Sequence, residues 1–358
     1  MIRIYALPMD LGGCGFYRVL FPLEMLRERG GHECFLPGWE EGVLEQTDVG
    51  RPGRVLGFHF NPSVHNDGDV YVIQRAVDAA NEQVVRLMRG QRKKVVFEID
   101  DWYGGVPEGN LVKGRLTKDM KRRLAWLMEH ADLVTVSTRA LAELYDEYEP
   151  KVLGNFLSWK MWEDVQPQYE LERERVRIGW MGDSLWHGGD IEVIRKVIGP
   201  WLRKHPEVDF VSAGDSRGVL HDLLGVPEGQ RVSYGGVDFG PELVGITATM
   251  DIGLVPLELN DFNEAKSALK GMEYAACGIP CIASPTAEYR AWVGKSPCGF
   301  IAATKKDWGR HLDALLDPTL RATMGQNARK QASEHTIEQH WPQWEDTYEA
   351  LLGARVAA

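Results

Sequence analysis

Residues 263–280, NEAKSALKGMEYAACGIP, lie between two apolar runs, DIGLVPL at 251–257 and PCIASP at 280–285. Asn263 is a good helix-capping residue, and Gly278 can end a helix, so this stretch predicts one helix. A short strand, a helix and another short strand form the repeating unit of parallel sheets. The stretch therefore predicts an α/β fold.

The charged residues of this predicted helix share one face. At 100° per residue, Lys266, Lys270 and Glu273 fall within about 60° of one another. A lysine in the first turn opposes the helix dipole unless an anion binds there. A diphosphate would suit that end, and Glu273 two turns on would reach ribose hydroxyls. The alternative is an exposed face with lysine–glutamate pairing.

Length, charge and hydropathy limit the class of protein. The chain has 358 residues, enough for two domains, and a formal net charge of −11. Apolar runs of about 18 residues, as a membrane-spanning helix needs, are absent. The negative charge disfavours DNA as a partner, although basic runs at 86–94 and 118–124 leave DNA or peripheral membrane contact open. A solvated helix face is the preferred explanation of such a run.

The cysteines and the first residues indicate the compartment. Five cysteines, an odd number, show no metal-ligand spacing, which is typical of reduced thiols. The opening run MIRIYALPMDLGG is strand-like rather than a signal peptide. We therefore expect a cytoplasmic protein.

Strand-like runs alternate with helical stretches twice along the chain, which predicts two Rossmann-like domains. The polar residues 164–174 predict a linker. The expected domains are 1–163 and 175–335, facing each other across a cleft. Residues 336–358 are predicted to form a terminal helix that crosses back to the first domain.

Ligands of open parallel sheets collect at the carboxyl ends of strands, which selects candidate loops. The first loop, MDLGGCGFYRVLFP, has Gly12 and Gly13 for close backbone approach to a phosphate or sugar. Tyr17 and Arg18 stand where a dinucleotide-binding fingerprint would have its last glycine. The loop therefore does not match that motif. Both are candidates for acceptor or phosphate contacts. The alternative is an ordinary turn with a solvent-facing arginine.

A run of carboxylates follows a later strand of the first half. Glu98, Asp100 and Asp101 lie within VVFEIDDWYGG, and like charges this close suit acid–base work or sugar hydroxyls. A metal-binding D-x-D motif and a helix cap are the alternatives. Arg75, which ends the strand DVYVIQR, is a further acceptor or phosphate candidate.

The second half opens with RIGWMGDSLWHGGD. Gly182 and Ser184 follow the strand, where backbone N–H groups and a hydroxyl can hold an anion. His187 could donate to a phosphate or a sugar oxygen, with Asp190 next to it at a helix start. A simple helix cap and a solvated histidine are the alternative.

These segments resemble the GT-B glycosyltransferases of the glycogen synthase-like, retaining group, glycosyltransferase family 4. The clearest match is KSALKGMEYAACGIPCIAS, with its Glu-Tyr pair and Ala-x-Gly-x-Pro turn. The group usually has a glutamate eight residues before Glu273, where this chain has Ala265, and Glu264 is the nearest substitute. The group usually has an arginine and a lysine after the first strand of the second domain. This chain has Asp183, Ser184 and His187 in that region.

The resemblance implies a nucleotide-sugar-binding second domain and an acceptor-side first domain. It implies that Glu273 binds the ribose and that the diphosphate lies near the 266–270 segment. The implied donor-binding residues are Gly12, Gly13, Gly182, Ser184, Glu264, Ser267, Lys270 and Glu273.

The expected activity is transfer of a sugar from a UDP- or GDP-sugar to a glycan, protein or small-molecule acceptor, with retention implied by the resemblance. We expect neither a metal nor a further cofactor. Lys266, helped by His187, is expected to stabilise the leaving diphosphate, and Asp100 and Asp101 to serve the acceptor. The alternatives are a nucleotide-sugar epimerase, a non-catalytic nucleotide-sugar-binding protein and glucosylation of DNA bases.

Overall fold

The fold is seen in a computed structural model that describes residues 1–36, 66–75, 77, 79–184 and 186–353. Their contacts divide the chain into two compact units. Unit 1 comprises Met1–Tyr103, Leu116–Phe156 and Ile337–Ala358, and unit 2 comprises Gly104–Arg115 and Leu157–Thr336.

Unit 1 contains a parallel sheet in which β1 lies between β2 and β3. The order is β2-β1-β3-β4-β5-β6, so the direction of winding changes between β1 and β3. All five residues of β3 are buried, as expected for a strand covered on both faces. The described strands are β1 Arg3–Leu7, β2 Glu33–Phe35, β3 Val70–Gln74, β4 Lys94–Ile99, β5 Leu133–Val136 and β6 Lys151–Val152.

Unit 2 contains a second parallel sheet, ordered β12-β11-β10-β7-β8-β9. Its winding changes direction between β7 and β10, which pair through Ile178 and Ile252. Two parallel sheets in succession confirm the predicted α/β class. The described strands are β7 Val176–Met181, β8 Val208–Ala213, β9 Arg231–Tyr234, β10 Ile252–Val255, β11 Cys281–Ala283 and β12 Gly299–Ile301.

Helices connect the strands, as parallel pairing requires. Among the described residues, each helix is too short or too polar to span a membrane. The α-helices are α1 Gly13–Gly15, α2 Phe21–Glu28, α3 Ala79–Gly90, α4 Leu111–Arg115, α5 Lys118–His130, α6 Arg139–Leu144, α7 Trp159–Trp162, α8 Gly188–Leu202, α9 Leu220–Leu224, α10 Pro241–Thr247, α11 Asp261–Glu264, α12 Leu269–Ala276, α13 Ala287–Lys295, α14 Lys305–Leu315, α15 Pro318–Ser333, α16 Ile337–His340 and α17 Pro342–Gly353. A π-helical turn, Phe16–Leu20, joins α1 to α2, and 3-10 turns cover Tyr103–Gly105, Asp146–Tyr148, Gln168–Glu170 and Glu228–Gln230.

The single helix predicted over 263–280 is wrong, because the chain forms two helices there. The side chain of Asn260, not Asn263, caps α11 by accepting the Asn263 N–H at 2.9 Å. Residues 265–268 then break the helix before α12 begins at Leu269. Asn263 is instead buried, with its amide turned inward. Sequence reasoning selected the right capping chemistry but the wrong asparagine.

Two segments pack differently from their sequence-based interpretation. Residues 164–174, predicted as a linker, lie within unit 2. There the buried Gln168 donates its side-chain amide to the Asp251 carboxylate at 2.8 Å. Residues 104–115, predicted with the first half, also belong to unit 2. The composition of the two segments, rich in glycine and polar residues, did not predict that they pack within unit 2.

The terminal segment belongs to unit 1. Pro342 begins α17 after a break at Trp341, as expected for a proline at the first helical position. Trp344 and Tyr348 of α17 are buried, and His32 Nε2 lies 2.9 Å from the Glu345 carboxylate. Residues 354–358 of the predicted helix lie outside the described residues.

Arg18 lies inside unit 1 rather than at a ligand surface. Its Nε and NH2 donate to the Glu98 carboxylate at 2.7 and 3.0 Å, and its NH1 donates to the Leu153 carbonyl and to Asn155. Burial raises the pKa of Glu98, an effect that the Arg18 charge opposes. The interpretation of Arg18 as an anion contact is therefore corrected to a buried ion pair. Its neighbour Tyr17 is 1% exposed.

Replacing Glu98 with glutamine should destabilise unit 1 strongly, because it leaves the Arg18 guanidinium buried without its counter-ion. We expect a loss of about 3 kcal/mol or more in the free energy of unfolding, measured by urea denaturation. The double change Arg18→Met with Glu98→Gln should recover much of it. Asp119→Asn, which breaks an exposed pair with Arg122, is the control and should cost less than about 1 kcal/mol.

Candidate functional site

The change of winding in the unit 2 sheet locates a candidate site. Ligands of such sheets bind at the carboxyl ends of the strands where the order changes, here β7 and β10. The segment 182–187 leaves β7, and the segment 256–268 leaves β10. Both segments contain residues that the sequence predicted as donor-binding.

Asp190 joins these two segments. It lies in the first turn of α8, with a side chain only 6% exposed. Its Oδ2 lies 2.8 Å from His187 Nδ1, while its Oδ1 accepts from the Glu258 N–H at 2.8 Å and from Asn263 Nδ2 at 2.7 Å. A carboxylate is well placed at a helix N-terminus. One buried carboxylate thus holds the loops after β7 and β10 together.

His187 is the titratable group of this arrangement. Burial lowers its pKa, with a smaller lowering by the charge of Lys266 and then Lys270, while Asp190 acts in the opposite direction. A quarter of its side chain remains exposed. The imidazole is therefore neutral at pH 7, and its Nδ1–H faces Asp190 because a carboxylate only accepts.

Gly182 begins the loop after β7 with φ of 153°, a backbone conformation that side-chain-bearing residues rarely adopt. A Cβ there would lie 2.8 Å from the Trp180 ring and 3.3 Å from the His187 ring. The Ser184 hydroxyl donates to Asp215 at 2.8 Å. Close packing against the Trp180 and His187 rings thus requires glycine at position 182. Ser184 lies at the site, but its hydroxyl bonds to Asp215.

Lys266 lies in the 265–268 break and not in the first turn of a helix. Its N–H donates to the Asn263 carbonyl at 3.2 Å, and its ammonium lies 4.7 Å from the centre of the Phe262 ring. Lys270, not Lys266, occupies the first turn of α12, with its Nζ 3.8 Å from Glu273 Oε2. Lys270 therefore opposes the α12 dipole, as the sequence had predicted for Lys266.

Glu273 and its neighbours differ in burial. Glu273 is 4% exposed, although it was predicted on an exposed or ligand-facing side. Ser267 is half-buried between the two helices. Ala265, where the related group has a glutamate, is 1% exposed. A glutamate at that position would have to enter a packed interior or displace its neighbours.

Glu264, the suggested substitute, has a structural partner. Its Oε1 accepts the N–H of Ala287, the first residue of α13, at 2.8 Å. Carboxylates stabilise helix N-termini by this contact. The structure places Glu264 as a cap of α13.

A second cluster lies at the carboxyl ends of the unit 1 strands. Arg75, with φ of 49°, places its Nε 2.9 Å from Asp100 and its NH1 3.0 Å from Asp101. Asp10 lies 3.9 Å from the same guanidinium. Burial acts to lower the pKa of Arg75, but nearby groups, Asp100 first and Asp101 among the others, hold it well above its ordinary value. The sequence predicted Asp100 and Asp101 as neighbours and Arg75 as a separate candidate, but not the ion pairs between them.

Asp10 also orders the first glycine loop. Its Oδ1 accepts from the N–H groups of Gly12 at 2.9 Å and Gly15 at 3.2 Å. A Cβ on Gly15 would lie 1.9 Å from the Asp10 carbonyl oxygen, so only glycine fits there. Gly13 begins α1 directly after this turn. The loop is thus shaped by its own aspartate.

Sequence reasoning missed the segment 104–115 as a part of the unit 2 site. Asn110 donates its side-chain amide to the Trp186 carbonyl at 2.9 Å, next to His187. A Cβ on Gly109 would lie 3.1 Å from the Gly189 nitrogen. Glycine and asparagine in a loop are too common to be a signal, so this contact required the structure.

One group of possible metal ligands occurs among the described residues, at His32, Glu345 and Glu349 in unit 1. The Ile2 N–H donates to His32 Nδ1 at 3.1 Å. His32 Nε2 therefore carries the proton and donates to Glu345 at 2.9 Å. This group is a satisfied hydrogen-bonded pair that ties α17 to the first strand.

Comparisons with known proteins agree with this architecture. Residues 195–346 match a family model described as glycosyl transferase-like. A comparison with curated protein sequences found no match.

Solved structures match over nearly the whole chain. Sucrose-phosphate synthase from Thermosynechococcus elongatus has a TM-score of 0.68 at 14% identity, covering 98% of this chain and 100% of that one. Anabaena HepE in complex with UDP and glucose has a TM-score of 0.66 at 15% identity, covering 98% and 100%. WaaG, a glycosyltransferase of lipopolysaccharide biosynthesis, has a TM-score of 0.61 at 14% identity, covering 97% and 99%.

These findings define the class of the protein. The chain has the GT-B fold of glycosyltransferases, with two Rossmann-like sheets. Its second unit carries the glycosyl transferase-like match. The predicted resemblance to GT-B glycosyltransferases is confirmed.

Replacing Glu264 with alanine tests whether this residue caps α13 or binds a donor. We expect a loss of about 1 kcal/mol in the free energy of unfolding, with UDP affinity unchanged, measured by denaturation and calorimetry. Asn260→Ala, which removes the cap of α11, is the matched control with a similar loss. Weaker UDP binding at full stability would show a donor-binding role instead.

Proposed function

We propose that this protein is a glycosyltransferase that moves a sugar from a nucleotide-diphosphate sugar to an acceptor, with retention of anomeric configuration. The observation that carries the proposal is the group of Lys266, Lys270 and His187 at the carboxyl ends of β7 and β10. The charges of both lysines act on His187. This is the place in a doubly wound sheet where nucleotides bind.

A diphosphate would satisfy this group electrostatically. Two lysines and the N–H groups of short helices attract negative charge, and that attraction increases as the diphosphate leaves the sugar. Such stabilisation needs no metal ion, since the protein supplies the positive charge. Anabaena HepE, of the same fold, has been solved in complex with UDP and glucose. We propose a UDP- or GDP-sugar as the donor here.

Glu273 is proposed to bind the ribose. It lies one turn beyond Lys270 on α12, and its carboxylate is 3.8 Å from the Lys270 ammonium. Carboxylate oxygens accept hydrogen bonds, so the Glu273 side chain is suited to the paired hydroxyls of a ribose. Lys270 and Glu273 would thus hold adjoining parts of one nucleotide.

The unit 1 cluster is proposed to serve the acceptor. Asp100 and Asp101 are bound to Arg75, which fixes their positions at the end of β4. Fixed carboxylates accept hydrogen bonds from hydroxyls of an acceptor and orient it. Because Arg75 fixes both carboxylates through ion pairs, positioning of the acceptor is the role that this arrangement favours.

Lys266→Ala and Glu273→Gln should each reduce donor turnover at least tenfold, because each removes a charged contact to the nucleotide. The measurement is nucleotide release with a panel of UDP-, GDP-, ADP- and dTDP-sugars, chosen first by thermal shift. Lys196→Ala, on the exposed face of α8, is the matched control and should retain full turnover.

Three results would contradict this proposal. Near-normal turnover by both variants would show that the site is elsewhere. A changed sugar with no nucleotide released would indicate an epimerase. Donor binding without release, across glycan, protein and small-molecule acceptors, would indicate a non-catalytic binding protein.

A further inference from the structure

The contacts of Asp190 fix the position of its carboxylate relative to the His187 ring. Its side chain is 6% exposed, and both of its oxygens are engaged, one with the ring and one with the loop after β10. Asn263, which is itself buried, donates to the same oxygen at 2.7 Å. The carboxylate is therefore held in place from a second element, so its position relative to His187 is fixed.

This geometry determines which ring nitrogen of His187 carries the proton. The carboxylate can only accept, so Nδ1 must donate to it across the 2.8 Å contact. Nε2 is left as an acceptor, on a side chain of which a quarter is exposed. The Trp180 ring, edge-on at 5.9 Å, further restricts rotation of the imidazole.

The charges facing His187 oppose one another. Asp190 favours an imidazolium, whereas Lys266 and Lys270 disfavour it. The Glu258 carboxylate lies beside Gly189, two residues after His187, where it would be 2.4 Å from an added Cβ. In the absence of an anion, burial and the two lysines keep the ring neutral. A bound diphosphate would offset the lysine charges and add its own negative charge to that of Asp190, so both would favour the imidazolium.

We propose that Asp190 is a positioning residue that holds His187 with its proton on Nδ1, so that Nε2 takes up a proton from solvent when a diphosphate binds. The imidazolium then donates Nε2–H to a phosphate oxygen, and no bond to carbon or phosphorus changes in this step. The identity of the ligand rests on the proposed function. The tautomer of His187 does not.

The first test needs no ligand. The full chain is labelled with ¹⁵N-histidine, and the His187 signals are identified by their loss in His187→Gln. We expect the Nδ1–H tautomer in the wild type and a shift towards Nε2–H in Asp190→Asn, because the amide presents a donor to Nδ1. An Nε2–H tautomer in the wild type, or no change in the variant, would overturn the positioning role.

The second test measures proton uptake. UDP and inorganic pyrophosphate are titrated calorimetrically near pH 7.5 in buffers of different ionisation enthalpy. The wild type should take up a measurable fraction of one proton, His187→Gln none, and Asp190→Asn much less, with UDP affinity about tenfold weaker. Equal uptake by the wild type and Asp190→Asn would refute the coupling.

Asp251→Asn is the matched control. Asp251 is also a buried carboxylate of unit 2, but it bonds to Gln168 and the Arg177 N–H rather than to His187. Its variant should lose stability and keep both the tautomer and the proton uptake. If neither UDP nor pyrophosphate binds the wild type, the proton-uptake step fails together with the diphosphate site, while the tautomer measurement still decides the role of Asp190.

Discussion

The hydrogen bonds of one buried carboxylate, Asp190, organise the site of unit 2. It lies at the start of α8, where the helix dipole stabilises its charge, and bonds to groups from the loops after β7 and β10. These two strands are neighbours in the sheet, and the strand order runs in opposite directions on their two sides. Without this carboxylate, the two loops would lose the hydrogen bonds that it makes to both, and His187 would lose the partner of its Nδ1.

In unit 1, two arginines hold the carboxylates at the ends of the strands. Arg75 lies between Asp100 and Asp101 at the strand ends, and Arg18 lies deeper, against Glu98. Both are buried, so each depends on its carboxylates for compensation. The two arginines have different consequences. Arg75 shapes a surface where a ligand could be oriented, whereas Arg18 joins the π-helical turn before α2 to Glu98 of β4 and is part of the interior.

Much of the fold could be predicted from the chain, because parallel strands buried on both faces are short runs rich in apolar residues, such as VYVIQ and VDFVSA. The candidate loops could also be predicted, since carboxyl strand ends follow directly from strand positions. The break between α11 and α12 could not. Asn260 and Asn263 are equally good caps in sequence, and the choice between them depended on Asp190, a residue 73 positions away that recruits Asn263.

The sequence by itself determined the α/β class, the sites along the chain where strands end, and the residue types gathered there. These properties are local, because periodicity and turn chemistry act over a few residues. Only the tertiary structure decided which of those residues are interior and which face a ligand. Arg18 is interior and pairs with Glu98, and Glu264 accepts the N–H of Ala287 at the start of α13. Asn263 bonds to Asp190 in place of capping a helix, and Lys266 lies in the break after α11. Each of these outcomes depends on a partner distant in sequence, and hydrogen bonds between such partners form only when the chain has folded.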